Sequence, residues 1–72
     1  MNSTIAERFE KVFKENHLIF DPTLAWCKIG DSLTILHLVM GLEREFSLTI
    51  PDADIVAFRT ISDVVTWVET NL

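Results

Sequence analysis

Residues 32–46, SLTILHLVMGLEREF, carry apolar side chains on more of their circumference than a simple surface helix can use. At about 3.6 residues per turn, Ile35, Leu38, Val39, Leu42 and Phe46 align as one stripe. Leu33, Leu36 and Met40, with His37 beside them, align as a second. One core-facing stripe satisfies an amphipathic helix. A second stripe requires that the helix be surrounded, or that part of it be an exposed contact surface. Asp31 or Ser32 is a suitable N-cap for this helix. The fold must therefore be built around it.

The flanking segments supply further helices. Thr4-Ile5-Ala6-Glu7 has the form of a capping box, and Ile5, Phe9, Val12 and Phe13 then share one helical face, with Asn16 placed to close the helix. Residues 17–30, HLIFDPTLAWCKIG, show no sustained period; Asp21-Pro22 and Gly30 mark turns. So long a loop is uncommon in a small domain. Its Leu18, Ile19, Phe20, Leu24, Trp26 and Ile29 are expected to pack down over the helices, with Trp26 as an anchor and Cys27 as a half-buried filler. Pro51 blocks continuation, and Asp52 is expected to cap a short helix carrying Ile55, Val56 and Phe58. Thr60 and Asp63 form a second capping pair ahead of Ile61, Val64, Val65 and Val68, with Trp67 between core and surface. The expected fold is all-α: a bundle of three main helices and one short helix, with a long loop between helices one and two. Residues 1–72 are read as one domain.

Composition narrows the classes of function. With 72 residues and 49% hydrophobic content, the chain can build one modest core and is not expected to be disordered. Cys27 is the single cysteine, so no internal disulfide can form, which suits a reducing cytoplasm. No apolar run reaches membrane-spanning length, and the first residues lack a signal-peptide pattern, so no membrane insertion is expected. Residues 1–28 balance four acids against four bases; residues 29–72 carry seven acids against two bases. That acidic half disfavours nucleic acid and favours solubility or basic protein partners. Two separated histidines and one cysteine give no recognised metal-ligand spacing.

Gly30-Asp31-Ser32-Leu33 sits at the head of the two-striped helix and admits three readings. The tetrapeptide resembles the nucleophile motif of GDSL hydrolases, but those need a late histidine base, and no histidine follows His37. Ser32 and His37 point roughly 140° apart on one helix, so they cannot form a nucleophile–base pair there. No oxyanion-hole glycine cluster is visible. An ordinary helix cap accounts for positions 31 and 32 alone.

The third reading accounts for the surroundings too. Asp31-Ser32-Leu33, Leu38-Val39-Met40, Leu42-Glu43, Glu45-Phe46 and Ile50-Pro51-Asp52, followed by TISDVVTWV at 60–68, resemble the acyl carrier protein family. The resemblance implies an acyl-carrier-type four-helix bundle that is not itself an enzyme. It implies covalent phosphopantetheine, moved from coenzyme A onto Ser32 by a phosphopantetheinyl transferase, with acyl groups then carried as thioesters. Asp31 and Leu33 would assist at the attachment point. Leu36, His37, Met40, Glu43, Ile50 and Asp52 would dock partner enzymes such as ketosynthases and acyltransferases. Phe9, Leu38, Leu42, Phe46, Ile50, Phe58, Ile61 and Val64 would be candidates to wall an acyl chain. The expected state is a cytoplasmic monomer.

This chain departs from the family in ways that bear on cargo. Thr34 and His37 stand where acids are common, Arg44 interrupts the acidic run, and Gly30 directly precedes Asp31. These departures suggest a dedicated carrier for a specialised route, such as polyketide or hybrid peptide synthesis. Aminoacyl or D-alanyl carriage, and a non-carrier interaction module with an apolar docking face, remain the alternatives.

Overall fold

The computed structural model describes residues 4–72. It contains four α-helices: α1 (Ile5–Glu15), α2 (Ser32–Phe46), α3 (Asp52–Ala57) and α4 (Ile61–Asn71), with a 3-10 turn at Trp26–Lys28 in the first loop. The expected all-α bundle of three main helices and one short helix is what forms.

Local chemistry sets the helix starts. Thr4 Oγ1 accepts from Glu7 N at 3.1 Å, and Glu7 Oε1 accepts from Thr4 N at 2.9 Å, which closes the first capping box. Thr60 and Asp63 form the second box despite the shorter acid, because Asp63 Oδ2 also accepts from Arg59 N at 2.9 Å. Asp31 caps α2, its Oδ1 accepting from Thr34 N at 2.8 Å. The start of α3 differs from expectation. Pro51 is the N-cap and Asp52 the first helical residue, since the extended Pro51 backbone offers its carbonyl to Asp54 N and Ile55 N. Phe58 follows that helix instead of lying in it.

Helix ends are closed without glycine. After α1, Leu18 N donates to Phe13 O and His17 N to Lys14 O, the two bonds of a Schellman closure. His17 then occupies the left-handed position at φ 60 that glycine normally takes. Ser47 does the same after α2, at φ 54. A side chain there carries backbone strain. His17→Gly is therefore expected to raise stability by about 1 kcal/mol, measured by urea unfolding; a loss of stability would refute the strain argument.

The core contains Phe9, Val12, Phe13, Leu38, Val39, Leu42, Phe46, Ile50, Ile61, Val64 and Val68, and the loop anchor Trp26. Phe9 is central to an aromatic cluster, with ring centroids 6.4 Å from Phe13, 5.8 Å from Phe20 and 5.2 Å from Phe46. Gly41 lets α1 and α2 approach closely: a Cβ there would meet Val12 Cγ1 at 3.0 Å.

The long loop is tied down by backbone bonds to the start of α4. Trp26 N donates to Arg59 O, Ile61 N to Leu24 O and Ser62 N to Pro22 O. Trp26 meets Phe58 edge-on at 5.8 Å. Leu18, Phe20 and Ile29 pack on the core as expected. Ile19 and Leu24 do not; both are exposed. Cys27, expected to be half-buried, is exposed, because the 3-10 turn directs its neighbour Trp26 inward instead.

Arg8 and Lys11 on α1 reach Glu45 on α2, each at 3.0 Å, and Arg8 Nη2 also donates to Glu45 O at 2.7 Å. The Arg8 guanidinium lies 4.4 Å from the centroid of the Phe46 ring. Hydrogen bonds from Arg8 and then Lys11 hold the Glu45 carboxyl below its ordinary range. A lowered folded-state pKa adds stability above the ordinary carboxylate range, and that stability is lost as pH falls through the folded value. Glu45→Gln should thus destabilise the protein clearly at about pH 7 and much less at about pH 3. Equal losses at both pH values in thermal unfolding would contradict the ion-pair account.

Candidate functional site

The fold resolves the two stripes of α2. Leu38, Val39, Leu42 and Phe46 face inward and Ile35 packs on the core. Leu33, Leu36 and Met40 are exposed at 59%, 53% and 49%. His37 and Arg44 are exposed with them. The helix is therefore not surrounded: one of its apolar faces is an open surface.

Ser32 is the first residue of α2 and is exposed. Its position follows from local structure. Asp31 caps the helix with its side chain turned to Thr34 N, which leaves the Ser32 side chain on the outside of the first turn. The hydrogen bond from Thr34 N is the largest influence holding the Asp31 carboxyl below its ordinary range. The Asp31 carboxyl is thus fixed at the residue that precedes Ser32. Gly30 fits this corner closely: a Cβ there would come within 2.7 Å of Thr34 Cγ2. The Gly30-Asp31 spacing noted in the sequence is thus tied to Thr34, which occupies the space a side chain at 30 would need.

Beside Ser32 lies an open depression of about 450 Å³, lined by Trp26, Cys27, Ile35, Ile55, Val56 and Phe58. It is formed where the long loop, α2 and α3 meet. A flexible group attached to Ser32 Oγ would have both room and apolar surface to lie against. Of these lining residues only Phe58 is among the site candidates read from sequence, because no local signal brings positions 27, 32 and 56 together. Val56 is 82% exposed at its edge.

The other expected site residues divide. Asp52 is exposed at the start of α3. Glu43 is half-buried, and its Oε2 accepts from Ile50 N at 2.7 Å, which ties the α2–α3 connection to the helix. Ile50, expected among the docking residues, is only 4% exposed and belongs to the core; that Glu43 bond turns the connection inward. It keeps its place among the buried wall candidates. Phe58, the other wall candidate at the end of α3, is half-buried. Among the described residues, neither histidine hydrogen-bonds to Ser32, and His17 lies at the end of α1. This arrangement does not provide the base that ester hydrolysis requires. Among the described residues, no helix is long and apolar enough to cross a membrane.

The chain is similar to known proteins along most of its length. The family described as "Phosphopantetheine attachment site" matches residues 3–68. An acyl carrier protein of Helicobacter hepaticus is 46% identical over 42 residues, covering 58% of this chain and 55% of that protein. One from Wolinella succinogenes matches to the same extent. The matched segment thus spans about half the length of these two relatives. An acyl carrier protein of Exiguobacterium sibiricum is 32% identical over 72 residues, covering 100% of this chain and 89% of its own length.

Proposed function

The chain belongs to the acyl carrier protein family of phosphopantetheine-attachment domains, and from that premise we propose that it carries acyl intermediates on an arm attached to Ser32. The observation that supports this most directly is the placement of Ser32. It is an exposed hydroxyl on the first turn of a helix, beside an open apolar depression and at the head of an exposed apolar stripe. It is a carrier and not a catalyst.

The residues present fit the group. Ser32 Oγ contributes the oxygen that is esterified. The first-turn N–H groups and the helix dipole favour a phosphodiester there. Asp31, fixed by Thr34 N, presents a carboxylate at the entrance where a transferase and its metal ion approach. The depression walled by Trp26, Ile35, Ile55 and Phe58 shelters apolar atoms from water. When bound, the prosthetic group supplies a terminal thiol that holds an acyl chain as a thioester. Leu33, Leu36, His37 and Met40 form the surface that meets partners, with Glu43 and Asp52 at its margins.

A specialised, cytoplasmic pathway, such as a polyketide route, fits best. Thr34, His37 and Arg44 leave the helix less acidic than a housekeeping fatty-acid carrier, and poor exchange with housekeeping synthase enzymes is the expected behaviour.

The central experiment is incubation with coenzyme A and a broad-specificity phosphopantetheinyl transferase, read by intact mass. A gain of one phosphopantetheine is expected. Trypsin then releases residues 29–44, and fragmentation should place the group on Ser32. No gain with several transferases would leave a helical interaction module as the better description.

A further inference from the structure

Among the described residues, both carboxylates of α2 are engaged within the molecule, and its exposed cation makes no ion pair. Glu45 lies between Arg8 and Lys11, with its side chain only 18% exposed. Glu43 is held by Ile50 N at the edge of the exposed stripe. On the helix, Arg44 projects in nearly the same direction as Leu33 and Met40, and His37 lies within about half a right angle of Leu33. Both are exposed, and among the described residues Arg44 makes no ion pair. Glu15 on α1 lines the groove beside them, together with His37, Met40 and Arg44. The outer face of α2 is thus an apolar stripe, Leu33–Leu36–Met40, ending in a positive charge. Of the acids of the C-terminal half that make no side-chain contact among the described residues, Asp52 and Asp54 stand on the separate helix α3 and Glu69 on α4.

We infer that this face docks on a protein surface that is apolar with an acidic rim, and that Arg44 pairs with the partner's carboxylate at the C-terminal end of α2. Charge complementarity selects this occupant. A basic partner patch would meet Arg44 as a like charge and find Glu45 already neutralised. The inference rests on the carrier proposal only for the expectation that enzymes meet this face.

The test uses the unmodified protein, so its failure is separate from failure of the Ser32 mass experiment. Two helical peptides are compared as probes, each with the same leucine stripe, flanked in one by glutamate and in the other by lysine. Binding is followed by the methyl resonances of Leu33, Leu36 and Met40. Ionic strength is held at about 0.15 M, where charges farther than about 8 Å are screened, so the remote acids of this acidic chain contribute little. The glutamate peptide is expected to bind this face about threefold more tightly or better. Arg44→Gln should remove the preference and Arg44→Glu should reverse it. Tighter binding of the lysine peptide at these methyls, binding of neither peptide there, or a preference unchanged in Arg44→Glu would overturn the inference.

Discussion

Ser32→Ala is expected to take up no phosphopantetheine while folding as the parent does. The loss should be complete, because the substitution removes the oxygen to be esterified and no neighbouring hydroxyl stands in its place. Thr34 is two residues further round the helix and half-buried, with a side chain that fills the corner at Gly30. Stability should change by no more than about 0.5 kcal/mol, since Ser32 is exposed and outside the core. The cap is supplied by Asp31, which is untouched. Asp31→Ala separates the two roles at this corner. It should cost about 1 kcal/mol through loss of the cap and slow the modification without abolishing it. Intact mass after transferase treatment and a urea titration distinguish these outcomes. A full gain of mass in Ser32→Ala would refute Ser32 as the attachment point.

Phe9→Ala should lower the stability of the protein by about 3–5 kcal/mol at 25 °C. Phe9 is fully buried and its ring meets those of Phe13, Phe20 and Phe46. Truncating a buried phenylalanine costs about 3–5 kcal/mol, through lost transfer energy and the cavity left behind. For 72 residues, total stability is expected to be about 4–11 kcal/mol, so one substitution removes a large share. Phe20 comes from the long loop and Phe46 from the end of α2, so neither can move in to fill the space without dragging its own backbone. Circular dichroism and tryptophan fluorescence, from Trp26 and Trp67 together, should show loss of the cooperative transition, or a midpoint shifted far down. A variant within about 1 kcal/mol of the parent would mean that the aromatic cluster relaxes far more readily than its packing suggests.

The features legible in the sequence were those decided within one or two helical turns. Thr4 and Glu7, Asp31 and Thr34, and Thr60 and Asp63 lie three residues apart, so their capping bonds depend only on local geometry. The same holds for the inward face of α1 and for both stripes of α2. Ser32 could be singled out because the motif around it, Asp31-Ser32-Leu33 and the helix that follows, is contiguous in sequence, whereas the depression beside it is lined from the long loop, α2 and α3. The helix ends were harder to read. His17 and Ser47 adopt left-handed conformations with no glycine to announce them, and the surrounding Schellman bonds and packing impose that geometry.

The sequence by itself determined the four helices, the starts of α1, α2 and α4, the inward stripes of the helices and a serine at the head of a two-striped helix. Only the tertiary structure decided which stripe of α2 faces solvent, because that depends on which one α1 and its neighbours cover. It also turned Ile50 inward, left Cys27 outside, and brought the long loop to the start of α4 through backbone bonds between residues some 37 positions apart, as Ile61 to Leu24. It committed Glu45 to Arg8 and Lys11 and left Arg44 exposed, without an ion pair among the described residues. The physical reason is common to all of these: periodicity and capping are fixed by residues three or four apart, whereas burial and ion pairing are fixed by what another part of the chain places against them.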